Sequence, residues 1–437
     1  MPQFDSELLD LSARLIDDGV TDVAPNRVTN ELSELGNGVA VVESFSHSVV
    51  FRTDDGLVAF DASGAATGQA VTDALRGWST DPLHSLVYTH GHVDHVGGSG
   101  ALVADNRERG HRDPRVIGHE AVRDRFARYR RTNGWNTVIN ARQFGHGRVH
   151  ASMRLGGTGV DPQRRFLPDD AAEPTDTFAS RSSFSVGGLD VELRHARGET
   201  DDHAWAWIPE HRAICSGDLM VWVFPNAGNP QKVQRYPAEW ASALREMVAL
   251  EPELLLPAHG LPIAGRDRIA TVLTTVARTL EDLEEAVVAM MNAGATLDEI
   301  LHEAKVPAET LALPYLRPTY DEPEFVVRNI WRLYGGWWDG DPATLKPAPA
   351  DALARELADL AGGAAKLTER AVALSEAGDH RLACHLIETA GRAAPDDEAV
   401  HRIRREIYGR RRRSETSLMA KGIYAGAIRE SDAVIGE

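Results

Sequence analysis

In the stretch Thr89–Gly98, THGHVDHVGG, three histidines and an aspartate fall within six positions. His90 and His92 are two residues apart, so on extended backbone their rings point to the same side. Asp94 and His95 follow as the chain turns and can reach a second point nearby. Imidazole and carboxylate at this density suit divalent metal ions, zinc first and manganese or iron next. Gly91, Gly97 and Gly98 leave room for the backbone to bend around such a site. The alternative is a set of solvated loop histidines. The HxHxDH spacing directly after the apolar run LHSLVY argues against it.

One loop cannot complete the shells of two ions, so further ligands must come from distant strand ends. Three residues fit. His203 lies in GETDDHAWAW before an alternating strand, Asp218 in ICSGDLM after an apolar strand, and His259 in LLLPAHG at another strand end. Two ions held a few ångströms apart can share a hydroxide made near neutral pH and stabilise the oxyanion that its attack creates. Asp94 is the candidate catalytic carboxylate as well as a ligand. The reaction class is metal-assisted hydrolysis, with no serine or cysteine nucleophile required. Cys215, three residues before Asp218, reads as core packing.

The elements that must position these residues follow from periodicity. VAVVES, SVVFRT and LVAFDAS read as consecutive strands, with a turn at Asp54-Asp55-Gly56. Ala65–Trp78 reads as a helix, LHSLVYTH as a buried strand, VIGH as a strand and EAVRDRFARYRR as a helix. FSVGGLDVELRHA and AWAWIPEHRAICSGD read as hairpins, PAEWASALREMVAL as a helix and LLLPAHG as a strand entering a loop. Alternating strands and helices up to about residue 270 predict an α/β layered domain. Ile269–Ala295 reads as a long helix. The aromatic segment after it, with Trp331, Trp337 and Trp338, reads as a packed connection because it is too apolar for a free linker. From about Asp351 the chain is Ala-rich and helix-periodic. KLTERAVALSEAGD, HRLACHLIETAGRAAPDD and EAVHRIRREIYGRRRR read as three helices, stopped at Gly378 and Pro395. The first two form a hairpin of the tetratricopeptide kind.

A chain of 437 residues with 43% hydrophobic residues suits more than one globular core. Its formal net charge of -18 disfavours nucleic acid and anionic membranes as partners. The run RRRR at 410–413 therefore reads as a solvated helix face or a salt-bridge strip. Two distant cysteines, Cys215 and Cys384, give no disulfide framework and point to a reducing cytoplasm. The N-terminal stretch MPQFDSELLDLSARLIDDG reads as an amphipathic helix rather than a signal peptide, and no apolar run is long enough to span a membrane.

The order THGHVDH, a histidine before a strand, SGD and then PAHG resembles the metallo-β-lactamase superfamily. The resemblance implies an αββα sandwich with a two-metal site at one edge. It implies that His90, His92 and His203 hold one ion, that Asp94, His95 and His259 hold the other, and that Asp218 bridges them. It also makes Asp61, in LVAFDAS, a buried acid that orients a histidine ligand. The alternative for Asp61 is to cap the following helix.

A narrower likeness runs through INARQFG, SGDLMVWVFPNAGNPQ, RNIWRLYGGWWDGDPATLKP and the C-terminal helices. These resemble the alkyl sulfatases, which hydrolyse alkyl sulfate esters and pair two subunits through an all-α dimerisation domain. The expected organisation is a helical segment over 1–35, a catalytic domain over 36–270, a helical and aromatic connection over 271–345 and a dimerisation domain over 346–437. The expected activity is sulfate-ester hydrolysis on two zinc ions in a cytoplasmic homodimer. The alternative is acyl-type hydrolysis of a lactone, amide, β-lactam or thioester.

Two departures bear on the substrate. The alkyl sulfatases often carry a glutamate where this chain has His203, and Glu199 reads as a spare acid nearby. Those enzymes usually continue into a sterol-carrier-like domain, whereas this sequence stops at Glu437, so a smaller or more polar substrate is expected. Asn226, Asn229 and Arg235 are candidate substrate contacts through charge-assisted bonds. Tyr129 and Arg130 could roof the pocket, and Trp135 reads as core. His111, His119, His146, His150, His195 and His211 lack partners at ligand spacing and read as surface or supporting groups.

Overall fold

The computed structural model describes residues 4–20, 22–144 and 165–436. His146 and His150 lie outside the described residues.

Strands β1 (Glu31–Gly36), β2 (Val39–Glu43), β3 (Ser48–Thr53), β4 (Gly56–Phe60), β5 (Leu83–Val87), β6 (Arg115–His119) and β7 (Asp176–Phe178) form one sheet in sequence order. The pairing is antiparallel through β4 and parallel from β4 to β7. A second sheet is built from β8 (Arg181–Val186), β9 (Leu189–His195), β10 (Ala204–Ile208), β11 (Ala213–Gly217), β12 (Leu254–Pro257) and β13 (Ile263–Ala264). Its one parallel pair is β11 with β12.

Residues alternate between the two faces of each strand, and this sorts the core. Val49 and Phe51 of β3 and Val58 and Phe60 of β4 meet Val191, Leu193, Ala206, Ile208, Cys215 and Leu256 between the sheets. Val50, Leu57 and Ala59 face outward instead, onto Leu75, Leu102, Val122 and Phe126 of the covering helices. Helices Pro237–Ala249 and Arg266–Asn292 pack on each other beside the second sheet, burying Trp240, Leu244, Leu273 and Leu280. The fold is an αββα sandwich followed by a helical C-terminal region.

The described chain divides into two compact units rather than four segments. The first unit keeps residues up to 137, those from 165 to 295, and those from 299 to 336. The N-terminal segment belongs to it, because β1 starts before residue 36 and Leu9 of helix Glu7–Asp17 enters the core between the sheets. Helix Pro323–Gly335, expected within the connection, belongs to it as well. Beyond that helix the aromatic segment is less packed than expected: Trp337 is 70% exposed.

The second unit contains helices Ala350–Ala361, Ala364–Glu376, His380–Ala393, Glu398–Ser414 and Leu418–Ile435. Ala371, Leu374, Ile387, Val400 and Ile407 make its core. Asp379, Asp397 and Ser417 cap three of these helices by accepting backbone N–H bonds. In the arginine run, Arg411 pairs with Glu415 and lies over the Tyr424 ring, while Arg412 and Arg413 are exposed.

Candidate metal centre

The ends of β4, β5, β11 and β12 and the loop after β9 converge on one edge of the sandwich. At the end of β5, His92 stands at the N-cap of a single helical turn, Val93–Val96, which carries Asp94 and His95, and the His95 ring lies with its centroid 4.1 Å from that of His90. The turn packs tightly on the chain after β4. A Cβ at Gly98 would lie 2.1 Å from the Ala62 carbonyl oxygen, so glycine is required there.

Two clusters result. His90, His92, Glu199 and Asp218 form one, and Asp94, His95 and His259 form the other. Asp218 lies between them. Its Oδ2 is 3.9 Å from His90 Nε2, and its Oδ1 is 3.4 Å from His95 Nε2 and 3.6 Å from His259 Nε2. Asp94 Oδ2 is 3.7 Å from His95 Nε2 and 3.5 Å from His259 Nε2, while Glu199 Oε1 is 3.6 Å from His92 Nδ1. His90 Nε2, His95 Nε2, Glu199 Oε2 and Asp218 Oδ1 are buried without a hydrogen-bond partner in the chain. Buried polar atoms are ordinarily satisfied. An inward-facing set of orphaned nitrogen and carboxylate donors fits divalent metal ions.

His203 is the correction. It was expected among the ligands but joins neither cluster. Its Nε2 accepts the Asp218 backbone N–H at 3.0 Å, and its ring stacks on His90 with centroids 4.9 Å apart. Glu199, read from sequence as a spare acid, completes the first cluster instead.

The expected substrate contacts already have partners within the chain. Asn226, Asn229 and Arg235 are all buried. Asn226 Nδ2 donates to Glu199 Oε1 at 2.5 Å, and Arg235 Nη1 approaches the same oxygen at 2.6 Å. Arg235 also donates to the Asn226 carbonyl. These residues hold Glu199. Asn229 offers its backbone N–H to Asp321, which accepts the Gly228 N–H as well. Asn329, on helix Pro323–Gly335, bonds the Arg235 backbone. Trp135 is exposed rather than core, and Tyr129 is buried with the outer helices.

Supporting groups fix the ligands further. Asp61, with φ 59°, accepts from Thr89 and contacts His95 Nδ1 at 2.7 Å. It orients His95 and does not cap the next helix, whose cap is Thr67. Arg125 forms a buried pair with Asp202, and Asp202 accepts the Gly91 N–H, tying the first histidine loop to the Glu199 loop. Sequence reasoning missed the turn between β2 and β3. Its His47 donates its backbone N–H to the Ala258 carbonyl, and His47 Nε2 bonds the Gly260 carbonyl at 2.9 Å, bracketing His259. Phe45 sets its ring edge to His259, and Ser46 Oγ lies 3.1 Å from His95 Nδ1.

Burial and neighbouring charge set the electrostatics. Burial holds His90 well below the usual histidine range, helped by His95 and His92. Burial does the same to His92, with Arg125 adding to it. Burial also opposes charge on His95, but Asp218, Asp61 and Asp94 outweigh it and raise its pKa. Burial pushes the Glu199 carboxyl up to about 8, against the pull of Arg235. Burial pushes Asp218 the same way, yet His95 and His259 bring it well below the usual carboxylate range. Cys215 is buried in the core between the sheets, and its thiol is raised by burial.

A family model described as the metallo-beta-lactamase superfamily matches residues 41–259. The chain belongs to this superfamily of metal-dependent hydrolases. A second model, alkyl sulfatase dimerisation, matches residues 296–433. The chain is similar to a linear primary-alkylsulfatase from Pseudomonas sp., at 28% identity over 367 residues, 83% of this chain and 69% of the relative. It is also similar to an (R)-specific secondary-alkylsulfatase from Pseudomonas sp., at 23% identity over 362 residues, 78% of this chain and 53% of the relative. The chain thus spans between about half and about two thirds of the length of these relatives. In fold it matches the solved stereoselective inverting sec-alkylsulfatase from Pseudomonas sp., with a TM-score of 0.78, 21% identity, and coverage of 92% of this chain and 65% of that one.

Proposed function

We propose that the chain is a two-metal hydrolase of sulfate esters, with a small or medium alkyl sulfate as substrate, working as a homodimer through its C-terminal helical unit. His90, His92 and Glu199 would hold one zinc ion, Asp94, His95 and His259 the other, and Asp218 both. When bound, such a pair supplies a nucleophile from water near neutral pH and Lewis acidity toward the ester. Asp61 keeps His95 in one orientation, and the bonds from Asn226 and Arg235 leave only Glu199 Oε2 unbonded in the chain. Among the described residues no helix is long and apolar enough to cross a membrane.

One observation carries the sulfatase reading: Glu199, and not His203, joins His90, His92 and Asp218. A glutamate at this point separates the alkyl sulfatase pattern from the all-histidine shell expected of the acyl-type hydrolases. The similarity to two alkylsulfatases supports the same reading. The test is release of inorganic sulfate from hexyl and dodecyl sulfate by the zinc-loaded protein. Sulfate release that is lost in His95→Ala is the expected result. Acid release from a lactone or thioester panel with no sulfate from either alkyl ester would move the assignment to acyl transfer.

A further inference from the structure

Helix Ala350–Ala361, ADALARELADLA, is packed the wrong way round for a helix complete in itself. Its buried residues are Ala354 and Ala358, at 3% and 4% exposure, while Leu353, Leu357 and Leu360 are 54%, 44% and 85% exposed. A surface helix normally turns its larger apolar side chains to the core. Here the alanines let the helix lie close against helices Ala364–Glu376 and His380–Ala393, and the leucines face out.

The three leucines follow a spacing of four and then three residues, which sets them in one stripe along the helix. That spacing is the seam of a two-helix coiled coil. Charged residues border the stripe: Asp351 and Arg355 pair within the helix at 2.8 Å, and Glu356 and Asp359 follow. An apolar strip with a charged rim has the make-up of an interface centre.

We infer that the Leu353–Leu357–Leu360 ridge is a self-docking surface, against which the same ridge of a second copy of this chain packs antiparallel about a twofold axis near Leu357. The occupant is argued from two observations. The ridge lies within residues 296–433, which match the alkyl sulfatase dimerisation family. The stripe is also short and self-complementary, as a twofold contact requires. Antiparallel pairing about Leu357 brings Leu353 of one copy toward Leu360 of the other and sets Arg355 toward Asp359. The inference rests on the homodimer reading and adds the surface that makes the dimer.

The experiment compares full-length wild type, Leu357→Asp, the double variant Leu353→Asp/Leu357→Asp and the control Val23→Asp by sedimentation equilibrium, with circular dichroism as a check on folding. Val23 is an exposed apolar residue of the first unit. Wild type and the control should be dimers, and Leu357→Asp should weaken the dimer by about 100-fold or more, since charge then faces its own copy across the axis. Because the leucines are exposed in the single chain, helicity should be unchanged. As a second measurement, Leu357→Cys should oxidise to a covalent dimer. A dimeric wild type with equally dimeric aspartate variants and no crosslink would overturn the ridge while leaving the homodimer standing. A monomeric wild type would overturn both. A monomeric wild type that floats with phosphatidylcholine vesicles would reassign the ridge to lipid.

Discussion

Lowering the pH should destabilise the fold through His47 in a way that one substitution removes. His47 is 2% exposed. Its Nδ1 accepts the Ser44 N–H and its Nε2 faces the Gly260 carbonyl, so these partners define a neutral ring with the proton on Nε2. Burial, with repulsion from His259 and Arg27, lowers its pKa from 6.5 to about 3. The sign follows from that depression. The unfolded chain takes up a proton on this ring below 6.5 and the folded chain does not, so the contribution is full above 6.5 and is lost as pH falls toward 3. At 1.36 kcal/mol per unit, the step from pH 7 to pH 5 should cost about 2 kcal/mol. Urea unfolding at both pH values, in chelator so that metal binding does not contribute, should show wild type losing about 2 kcal/mol more than His47→Gln. Equal losses in the two proteins would mean that His47 is not held neutral and that its bracket around His259 is wrongly read.

Other variants probe the supports around the site and the helical unit. Asp61→Asn should weaken ion binding in the Asp94–His95–His259 half by about 10- to 100-fold, because His95 loses its oriented carboxylate; competition with a chromogenic chelator measures this, and unchanged affinity would count against the orienting role. Arg125→Met leaves Asp202 a buried charge without its partner and should destabilise the fold by about 3–5 kcal/mol in urea titrations, with a loss under about 1 kcal/mol contradicting the pairing. Gly422→Ala would set a Cβ 1.4 Å from the Gln143 carbonyl oxygen, so the C-terminal unit should lose its cooperative thermal transition. Retention of that transition would mean that the two segments do not pack there.

The strands and the clustering of the HxHxDH loop were legible because their signals are local. Val49 and Phe51 alternate with Val50, and a period of two suffices to sort them between two layers. His90, His92, Asp94 and His95 sit in one loop of six residues. Groups brought in by tertiary packing were not legible. His47 reaches the His259 loop across 213 positions, and Asp321 holds the 228–229 backbone across 93 and 92. No spacing rule connects such pairs. Helix Leu418–Ile435 was missed for a different reason. Its sequence carries Gly422 and Gly426, which lower helix propensity, and Gly422 is there because it meets a carbonyl oxygen.

The exchange of His203 for Glu199 shows what a ligand prediction has to weigh. GETDDH presents five groups able to ligate or bond within five positions, and residue type favours the histidine. The choice is made instead by what each side chain meets on its way to the site. His203 directly precedes β10, and its Nε2 is taken by the backbone N–H of Asp218. Gly217, with φ 53°, allows this approach, since a Cβ there would lie 2.7 Å from the same nitrogen. Asp201 and Asp202 are drawn to Arg125. Glu199 meets Arg235 and Asn226, which bond one oxygen and leave the other unbonded beside His92 and Asp218. In the proposed ligand set, the placing of these carboxylates is thus tied to Arg125, Arg235 and Asn226, three residues outside the metal motif. With Arg235→Met, Glu199 loses its cation, and burial raises its carboxyl further still.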